Sequence, residues 1–228
     1  MKLLAVETST DACSAALFFD GEIVERFAVA PRDHTKLILP MIDELMADAE
    51  LKPRQLDAVA VGRGPGSFTG VRIAGGLVQG IAFGADLPVV PVSTLAAIAQ
   101  DFFNKQSLAE LAFTAMDARM DEIYWAVYQR DTEHFAKLLG IEVVTPAGEV
   151  AFPEAVGFGV GSGWGVYCAQ LAECLGELVQ GVEIDVWPRA ACIAQLGVRD
   201  FMKGLAVPVE EAMPVYLRDK VAKKESER

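Results

Sequence analysis

Apolar and polar stretches alternate along the first thirty residues in a way that predicts three strands. Residues 2–7 and 12–19 are apolar runs, and the polar residues 8–11 separate them. Asp20-Gly21 then leads into a third apolar run, residues 23–29. Because Asp-Gly favours the tight turn of a β-hairpin, the pattern predicts a three-stranded antiparallel meander.

Residues 35–49 follow with the spacing of a helix. Asp33 and Thr35 are the candidate N-caps, and Pro40 fits a helix only in its first turn or at a kink. The apolar side chains that recur with a period near 3.6 are Leu37, Ile38, Met41, Ile42, Leu45, Met46 and Ala49.

The next stretch predicts a parallel crossover. Residues 56–61 form a short apolar run, residues 71–85 suit a helix, residues 89–92 suit a strand, and another helix starts at Ser93-Thr94. The resulting order, βββαβαβα, combines an antiparallel meander with a right-handed crossover. This order is typical of an RNase H-like α/β lobe.

The second half of the chain repeats this opening in a weaker form. Residues 113–117 and 122–129 are apolar runs joined by an acidic turn, and a second glycine-rich turn, residues 157–164, precedes a helical pattern at residues 166–175. No counterpart of the first helix is evident after Thr145. We therefore predict an α/β fold of two tandem RNase H-like lobes, as in actin, sugar kinases and Hsp70, with the second lobe eroded. The predicted limits are residues 1–103 for the N-terminal lobe, 108–214 for the C-terminal lobe and 215–228 for a tail.

A glycine-rich turn, residues 62–72, stands between the second predicted helix and the strand before it, where α/β proteins bind ligands. A P-loop is excluded because the frame from Gly70 to Gly75 continues without the lysine that would reach a phosphate. A dinucleotide fingerprint fits poorly because its third glycine comes one position late. The turn is either a bend held by its own hydrogen bonds or a loop that faces a ligand or partner next to a helix N-terminus. The residues that suggest such a loop are Arg63, Gly64, Gly66, Ser67, Thr69 and Arg72.

Charge and composition exclude several classes of function. The chain has 20 Lys and Arg against 32 Asp and Glu, a net charge of −12, so it is not expected to grip nucleic acid or an anionic membrane by itself. Its most apolar stretch, residues 73–85, is shorter than the ~20 residues that a membrane span requires. We expect a cytoplasmic protein without a membrane partner.

The cysteines and histidines predict no local metal site. The four cysteines form no C-x-x-C pair, and the chain has only two histidines, His34 and His134. We expect reduced thiols, most of them in the core. The cysteines are Cys13, Cys168, Cys174 and Cys192.

Six segments together resemble the bacterial TsaB family, also called YeaZ, over nearly the whole chain. The most specific is GRGPGSFTGVR at residues 62–72. The others are LAVETST at 4–10, ACSAAL at 12–17, DARM at 117–120, EIY at 122–124 and PVYLR at 214–218.

The resemblance implies a non-catalytic scaffold subunit of the machinery that makes N6-threonylcarbamoyladenosine at position 37 of tRNAs reading codons that begin with A. Its partner would be the catalytic paralogue TsaD, to which the ATPase TsaE binds, and tRNA would be reached indirectly. The paralogue holds its metal with an H-x-x-x-H pair, whereas the fourth residue after His34 is Ile38. No metal ligand and no catalytic residue is therefore assigned.

Two alternatives from other classes stay open. Both families were once labelled glycoproteases, but Ser67 and Ser162 lack the G-x-S-x-G elbow because positions 65 and 160 are Pro and Val. Glu7 and Asp117 each end the first strand of a lobe, where related ATP-binding proteins place phosphate-facing groups, although such acids are commonly solvated. We expect no tightly bound cofactor, with ATP or ADP held only within the complex. Micromolar ATP binding by the isolated chain would instead indicate a small-molecule kinase.

The predicted partner interface lies on the two long helices of the first lobe. Gly76, Gly80 and Gly84 are four residues apart and line one helix face, which permits close approach of another helix or of the lobe's own sheet. Surplus apolar side chains suggest a helical bundle shared with TsaD, and a homodimer when TsaD is absent. Its other predicted members are Leu37, Met41, Leu45, Ile73 and Leu77.

The last predicted feature is a basic tail. Arg218, Lys220, Lys223 and Lys224 give the end of the chain a positive charge in an otherwise acidic protein. The tail is either a solvated terminus, or residues 214–218 dock onto the body while the lysines lean toward tRNA bound mainly by the partner.

Overall fold

The computed structural model describes residues 1–218, and its first sheet contains the predicted meander. β1, β2 and β3 are antiparallel neighbours, while β4 and β5 run parallel to β1. The sheet has the order β3-β2-β1-β4-β5 and comprises β1 (Lys2–Glu7), β2 (Ala12–Phe19), β3 (Glu22–Val29), β4 (Ala58–Gly62) and β5 (Val89–Val92).

The second sheet repeats the strand order of the first. The strand order of the second sheet is β8-β7-β6-β9-β10. It again has an antiparallel meander, here β6 to β8, and two further strands that run parallel to the first strand of that meander, β6. The repeated order confirms the prediction of two RNase H-like lobes. The strands are β6 (Leu111–Arg119), β7 (Glu122–Arg130), β8 (Ala136–Pro146), β9 (Gly157–Val160) and β10 (Val179–Glu183).

Five layers stack across the molecule. α1 (His34–Asp48) and α2 (Phe68–Ala85) cover the outer face of the first sheet, and α4 (Ser162–Leu175) covers the outer face of the second. α3 (Thr94–Lys105) and α5 (Ala190–Met202) lie between the sheets and touch each other. α3 packs on the second sheet although it follows the first along the chain, whereas α5 packs on the first. The two lobes therefore complete each other's cores.

Several predicted boundaries were wrong at the glycine-rich segments. α2 begins at Phe68, three residues before the predicted start, because Ser67 caps it. Residues 157–160, predicted as part of a turn, form β9, and α4 begins at Ser162. β8, β10 and α5 were not predicted at all. The absent counterpart of α1 is confirmed, since only a short 3-10 helix, Ala147–Glu149, lies between β8 and β9.

Pro40 was predicted to lie in the first turn of the helix or at a kink, and it lies in the interior of α1, beyond the first turn. Its side chain is exposed, so the ring faces away from the sheet. Asp33 occupies the N-cap position without a side-chain capping bond and instead pairs with Lys36 at 2.6 Å. Packing of the apolar face against the first sheet holds this helix in spite of its poor local signals.

Candidate functional site

The glycine-rich turn is shaped by the chain's own loop between β1 and β2. A Cβ atom at Gly62 would lie 1.7 Å from Glu7 Oε2, one at Gly66 would lie 2.5 Å from the Ser9 carbonyl oxygen, and one at Gly70 would lie 2.1 Å from the Thr8 carbonyl oxygen. No side chain fits at such distances. These three glycines are therefore required by an internal contact.

Hydrogen bonds hold the turn and the start of α2. The Ser67 N–H donates to the Ser9 carbonyl at 2.7 Å, and Ser67 Oγ accepts the Gly70 N–H at 3.4 Å. Thr8 Oγ1 donates to the Gly70 carbonyl at 2.7 Å. Within the first turn of α2, the N–H groups of Gly70 and Val71 are both accepted by Ser67, which agrees with a bend held partly by its own hydrogen bonds.

Arg63 faces inward, across to the second lobe. Its guanidinium pairs with Glu142 of β8 at 2.8 Å, and the Glu142 side chain is only 6% exposed. Tyr128 donates to the same carboxylate at 2.7 Å, and Ser93 Oγ also donates to it. Burial, followed by the nearby Glu142 charge, raises the pKa of Tyr128 well above its usual value. This cluster joins the turn to the second lobe.

Thr69 and Arg72 lie on the outside of the turn. The Arg72 guanidinium carbon stands 3.3 Å from the centre of the Phe68 ring and 4.9 Å from that of Tyr216. Gly64 has a φ of +94° and meets the Val215 carbonyl oxygen, which explains why a glycine stands there. Of the six predicted loop residues, Ser67, Thr69 and Arg72 are exposed to solvent. The other three, Arg63, Gly64 and Gly66, are partly or fully buried.

The outer face of α2 is open. Gly76, Gly80 and Gly84 are exposed, and a Cβ atom at any of them would meet nothing within 4 Å. Phe83 lies between them with 82% of its surface exposed. The lobe's own packing therefore does not account for the glycines.

The predicted interface side chains divide into two groups. Leu45 is 1% exposed and belongs to the core under α1, so it is not free to meet a partner. Leu37, Met41, Ile73 and Leu77 are half-buried and pack on that core with part of their surface outside. Leu39, another apolar residue of α1, is 50% exposed.

Glu7 is fully buried at the end of β1. Its Oε1 accepts the Ser9 N–H at 2.5 Å, while Oε2 has no hydrogen-bond partner. Burial raises the pKa of this carboxyl to about 7, and the hydrogen bonds from Ser9 only partly offset the shift. The side chain is thus a core group that fits into the space left by Gly62.

A cavity of about 480 Å³ lies between the lobes, and Asp117 lines it. Asp117 pairs with Arg119 at 3.0 Å and accepts the hydroxyl of Tyr167 at 3.4 Å. Arg218 also lines the cavity and pairs with Glu122. The lining from residues 1–218 includes no lysine, and both of its arginines, Arg119 and Arg218, pair with carboxylates. No cationic side chain among the described lining residues is therefore left without a carboxylate partner.

The end of the described chain contributes to this cavity. The sequence offered docking of residues 214–218 onto the body as one alternative, but it did not indicate that they line a cavity. Residues 215–218 form part of its wall, and the Val215 N–H donates to the Arg63 carbonyl at 2.8 Å. No local pattern marks this contact, because its partners are some 150 residues earlier in the chain. Lys220, Lys223 and Lys224 lie outside the described residues.

Other chemical groups give no further site within residues 1–218. In that range no three His, Cys, Asp or Glu side chains are grouped so that they could hold a metal ion. The four cysteines are free, but only Cys13 and Cys192 are buried, so the expectation that most lie in the core was wrong. None of the helices within the described range is long and apolar enough to cross a membrane.

Two sheets with the same strand order, packed on opposite sides of α3 and α5, define the two-lobed RNase H-like class. Within that class, a family model described as "TsaD: tRNA N6-adenosine threonylcarbamoyltransferase" matches residues 28–225. The tRNA threonylcarbamoyladenosine biosynthesis protein TsaB of Escherichia coli strain K12 is 40% identical over 97% of this chain and 96% of its own length. The protein of that name from Haemophilus influenzae is 40% identical over 97% of this chain and 95% of its own.

A solved structure agrees with these relatives. YeaZ from Pseudomonas aeruginosa superposes with a TM-score of 0.88 and is 42% identical, covering 95% of this chain and 99% of that one. The chain belongs to the TsaB family, which confirms the resemblance seen in its motifs.

Proposed function

We propose that this chain is a non-catalytic scaffold subunit of the complex that forms N6-threonylcarbamoyladenosine at position 37 of tRNAs reading codons that begin with A. It acts by pairing with TsaD, and it meets TsaE and tRNA through that complex in the cytoplasm. The names of its relatives support the pathway. The family model of the paralogue supports the kinship with TsaD.

The exposed glycine face of α2 is the main observation that supports the proposed pairing with TsaD. Three glycines in one helix cost about 2–3 kcal/mol of helix propensity relative to alanine, and no residue in the described part of the chain fills the space above them. Such a face suits close contact with another helix. The exposed Phe83 and Leu39 provide apolar anchors nearby. Without TsaD, the same face is available to a second copy of the chain.

The turn and the cavity favour a scaffold over an enzyme. Ser67, one of the two serines considered for the glycoprotease alternative, serves as the N-cap of α2. His34 donates to the Thr10 carbonyl at 2.7 Å and is 8% exposed, so it is engaged within the first lobe. The paired arginines of the cavity argue against a kinase-like nucleotide site. Neither a peptidase nor a small-molecule kinase is favoured by a specific contact.

The test is Gly80→Leu, because the added side chain points into open space and should leave the fold intact. We expect the variant to lose co-purification with TsaD and to lower threonylcarbamoyladenosine formation in the reconstituted complex. Sedimentation of the isolated chain should shift from dimer to monomer. Circular dichroism checks that the variant is folded.

Gly80→Ala is the matched control. The methyl group of alanine is small enough for close helix packing, and the substitution should stabilise α2 by about 1 kcal/mol through helix propensity. We expect this variant to pair with TsaD. A folded Gly80→Leu chain that pairs as well as the wild type would show that the glycine face is not the interface.

A further inference from the structure

Residues 213–218, here called the C-terminal strap, run from the first lobe to the second. At the first lobe, Gln79 of α2 donates to the Ala212 carbonyl at 3.1 Å, just before the strap begins. Val215 then bonds the backbone of Arg63 at 2.8 Å, and the Tyr216 ring lies 6.0 Å from that of Phe68. This end of the strap rests on α2 and on the glycine-rich turn.

At the second lobe, the strap ends on the turn between β6 and β7. Arg218 Nε donates to Glu122 Oε2 at 3.0 Å, and Nη2 of the same side chain pairs with that oxygen as well. Nη2 also donates to the Arg119 carbonyl at 3.2 Å. One guanidinium therefore fastens the strap to the second lobe.

The interlobe cavity lies beneath the strap. Residues 215–218 form one wall, and the other walls include Ile98 of α3, Met116 of β6 and Trp187. Along this wall the strap spans both lobes, so its displacement would widen the opening of the cavity to solvent.

The strap is held by shallower contacts than those that join the lobes elsewhere. The side chains of Arg218 and Glu122 are 18% and 33% exposed, and Tyr216 is 47% exposed. In the other interlobe pair Arg63 is 25% exposed but Glu142 only 6%, and α3 packs on α5 between the sheets. A partly solvated ion pair is weak and is screened by salt, whereas the packed layer is not.

We propose that the C-terminal strap is a releasable latch, closed by the Arg218–Glu122 pair, that covers the interlobe cavity. Release uncovers the cavity while α3, α5 and the Arg63–Glu142 pair keep the lobes together. The latch belongs to the isolated chain and does not depend on the pairing with TsaD. Because an ion pair closes it, salt should loosen it.

Trp187 provides a reporter, since it lines the cavity while Trp125 and Trp164 are buried at 2% and 1% exposure. The test is Arg218→Glu in the full chain, with acrylamide quenching of tryptophan fluorescence as the measurement. Loss of an ion pair of this kind should raise the open fraction about 2- to 5-fold, and quenching should rise with it. Added salt should increase quenching of the wild type but not of the variant.

The reciprocal variant carries Arg218→Glu together with Glu122→Arg and restores opposite charges at the same place. We expect it to return quenching to the wild-type value. Arg54→Glu, on the exposed 3-10 helix Pro53–Gln55, is the control for the same change of charge elsewhere and should leave quenching unchanged. Trp187→Phe should abolish the increase.

The latch is refuted if Arg218→Glu leaves quenching at the wild-type value, or if the reciprocal variant fails to restore it. It is equally refuted if the increase comes with loss of native circular dichroism, because the lobes would then have unfolded.

Discussion

The sequence position of Glu7 suggests a residue that contacts a ligand, but its side chain is part of the buried core. It ends a strand that points toward the cleft of a two-lobed fold, yet it is enclosed on all sides and one of its oxygens has no partner. The space for its carboxyl exists only because residue 62 is a glycine. An ionised carboxylate in that position is penalised by the loss of hydration.

The raised pKa of Glu7 predicts a stability that falls as pH rises. At a pH below 4.5, the ordinary pKa of a glutamate, the carboxyl is protonated in both folded and unfolded chains. Between 4.5 and about 7 the unfolded chain loses the proton while the folded chain keeps it, so the free energy of unfolding decreases. Above pH 7 the free energy of unfolding decreases no further, and the total decrease is on the order of 3 kcal/mol.

Glu7→Gln should remove this loss, because the amide is neutral and its oxygen can still accept the Ser9 N–H. We expect urea unfolding to show a variant about 1–3 kcal/mol more stable than the wild type at pH 8 and nearly equal at pH 5. Glu110→Gln, at an exposed position, controls for the lost charge. If the free energy of unfolding of Glu7→Gln exceeded that of the wild type by as much at pH 5 as at pH 8, the raised pKa of Glu7 would be contradicted.

At the scale of elements, α2 and α5 differ in where their caps come from. α2 begins after Ser67, whose own hydroxyl caps it. α5 begins after Arg189, which makes no capping bond. Its first N–H groups are instead accepted by Ser14 Oγ at 2.9 Å and by Glu25 Oε1 at 3.0 Å, from β2 and β3. The sequence around residue 190 therefore carries no start signal for a helix.

Glu25→Ala should destabilise the protein through α5. It removes the acceptor of the Ala191 N–H and leaves Arg189 without its carboxylate, which Nε reaches at 2.9 Å. We expect the free energy of unfolding to fall by about 2–3 kcal/mol in urea titrations at neutral pH. Glu22→Ala, exposed on the same strand, should change it little. Equal losses in the two variants would argue against the capping role.

At the scale of the whole molecule, the exchange of α3 and α5 ties the two lobes into one unit. The inner face of the first sheet is covered by α5, from the end of the described chain. The inner face of the second sheet is covered by α3, which comes before its first strand. Neither sheet buries both of its faces with helices of its own half.

A fragment of residues 1–106 should therefore not fold by itself, since the apolar side chains that meet α5 would be exposed to water. We expect no cooperative unfolding transition and poor dispersion of its amide resonances, in contrast to the full chain. A fragment of residues 1–106 that unfolds cooperatively would show that α5 is dispensable for the first lobe.

The sequence by itself determined the features that local pattern encodes. Alternation and an Asp-Gly turn placed β1, β2 and β3 almost to the residue, and helical spacing located α1 and the glycine face of α2. The repeat of the meander revealed the second lobe, and the motif at residues 62–72 indicated the family. These features depend on neighbours within a few positions, so a single stretch of chain contains them.

Only the tertiary structure decided what distant segments do to each other. Gly62, Gly66 and Gly70 are glycines because the loop after β1 approaches them. Leu45 lies in the core while the equally apolar Leu39 is exposed, because the first sheet lies on one side of α1. Arg63 faces Glu142 and Arg218 faces Glu122, partners 79 and 96 residues away. Burial and pairing depend on which surfaces meet, and local pattern does not encode that choice.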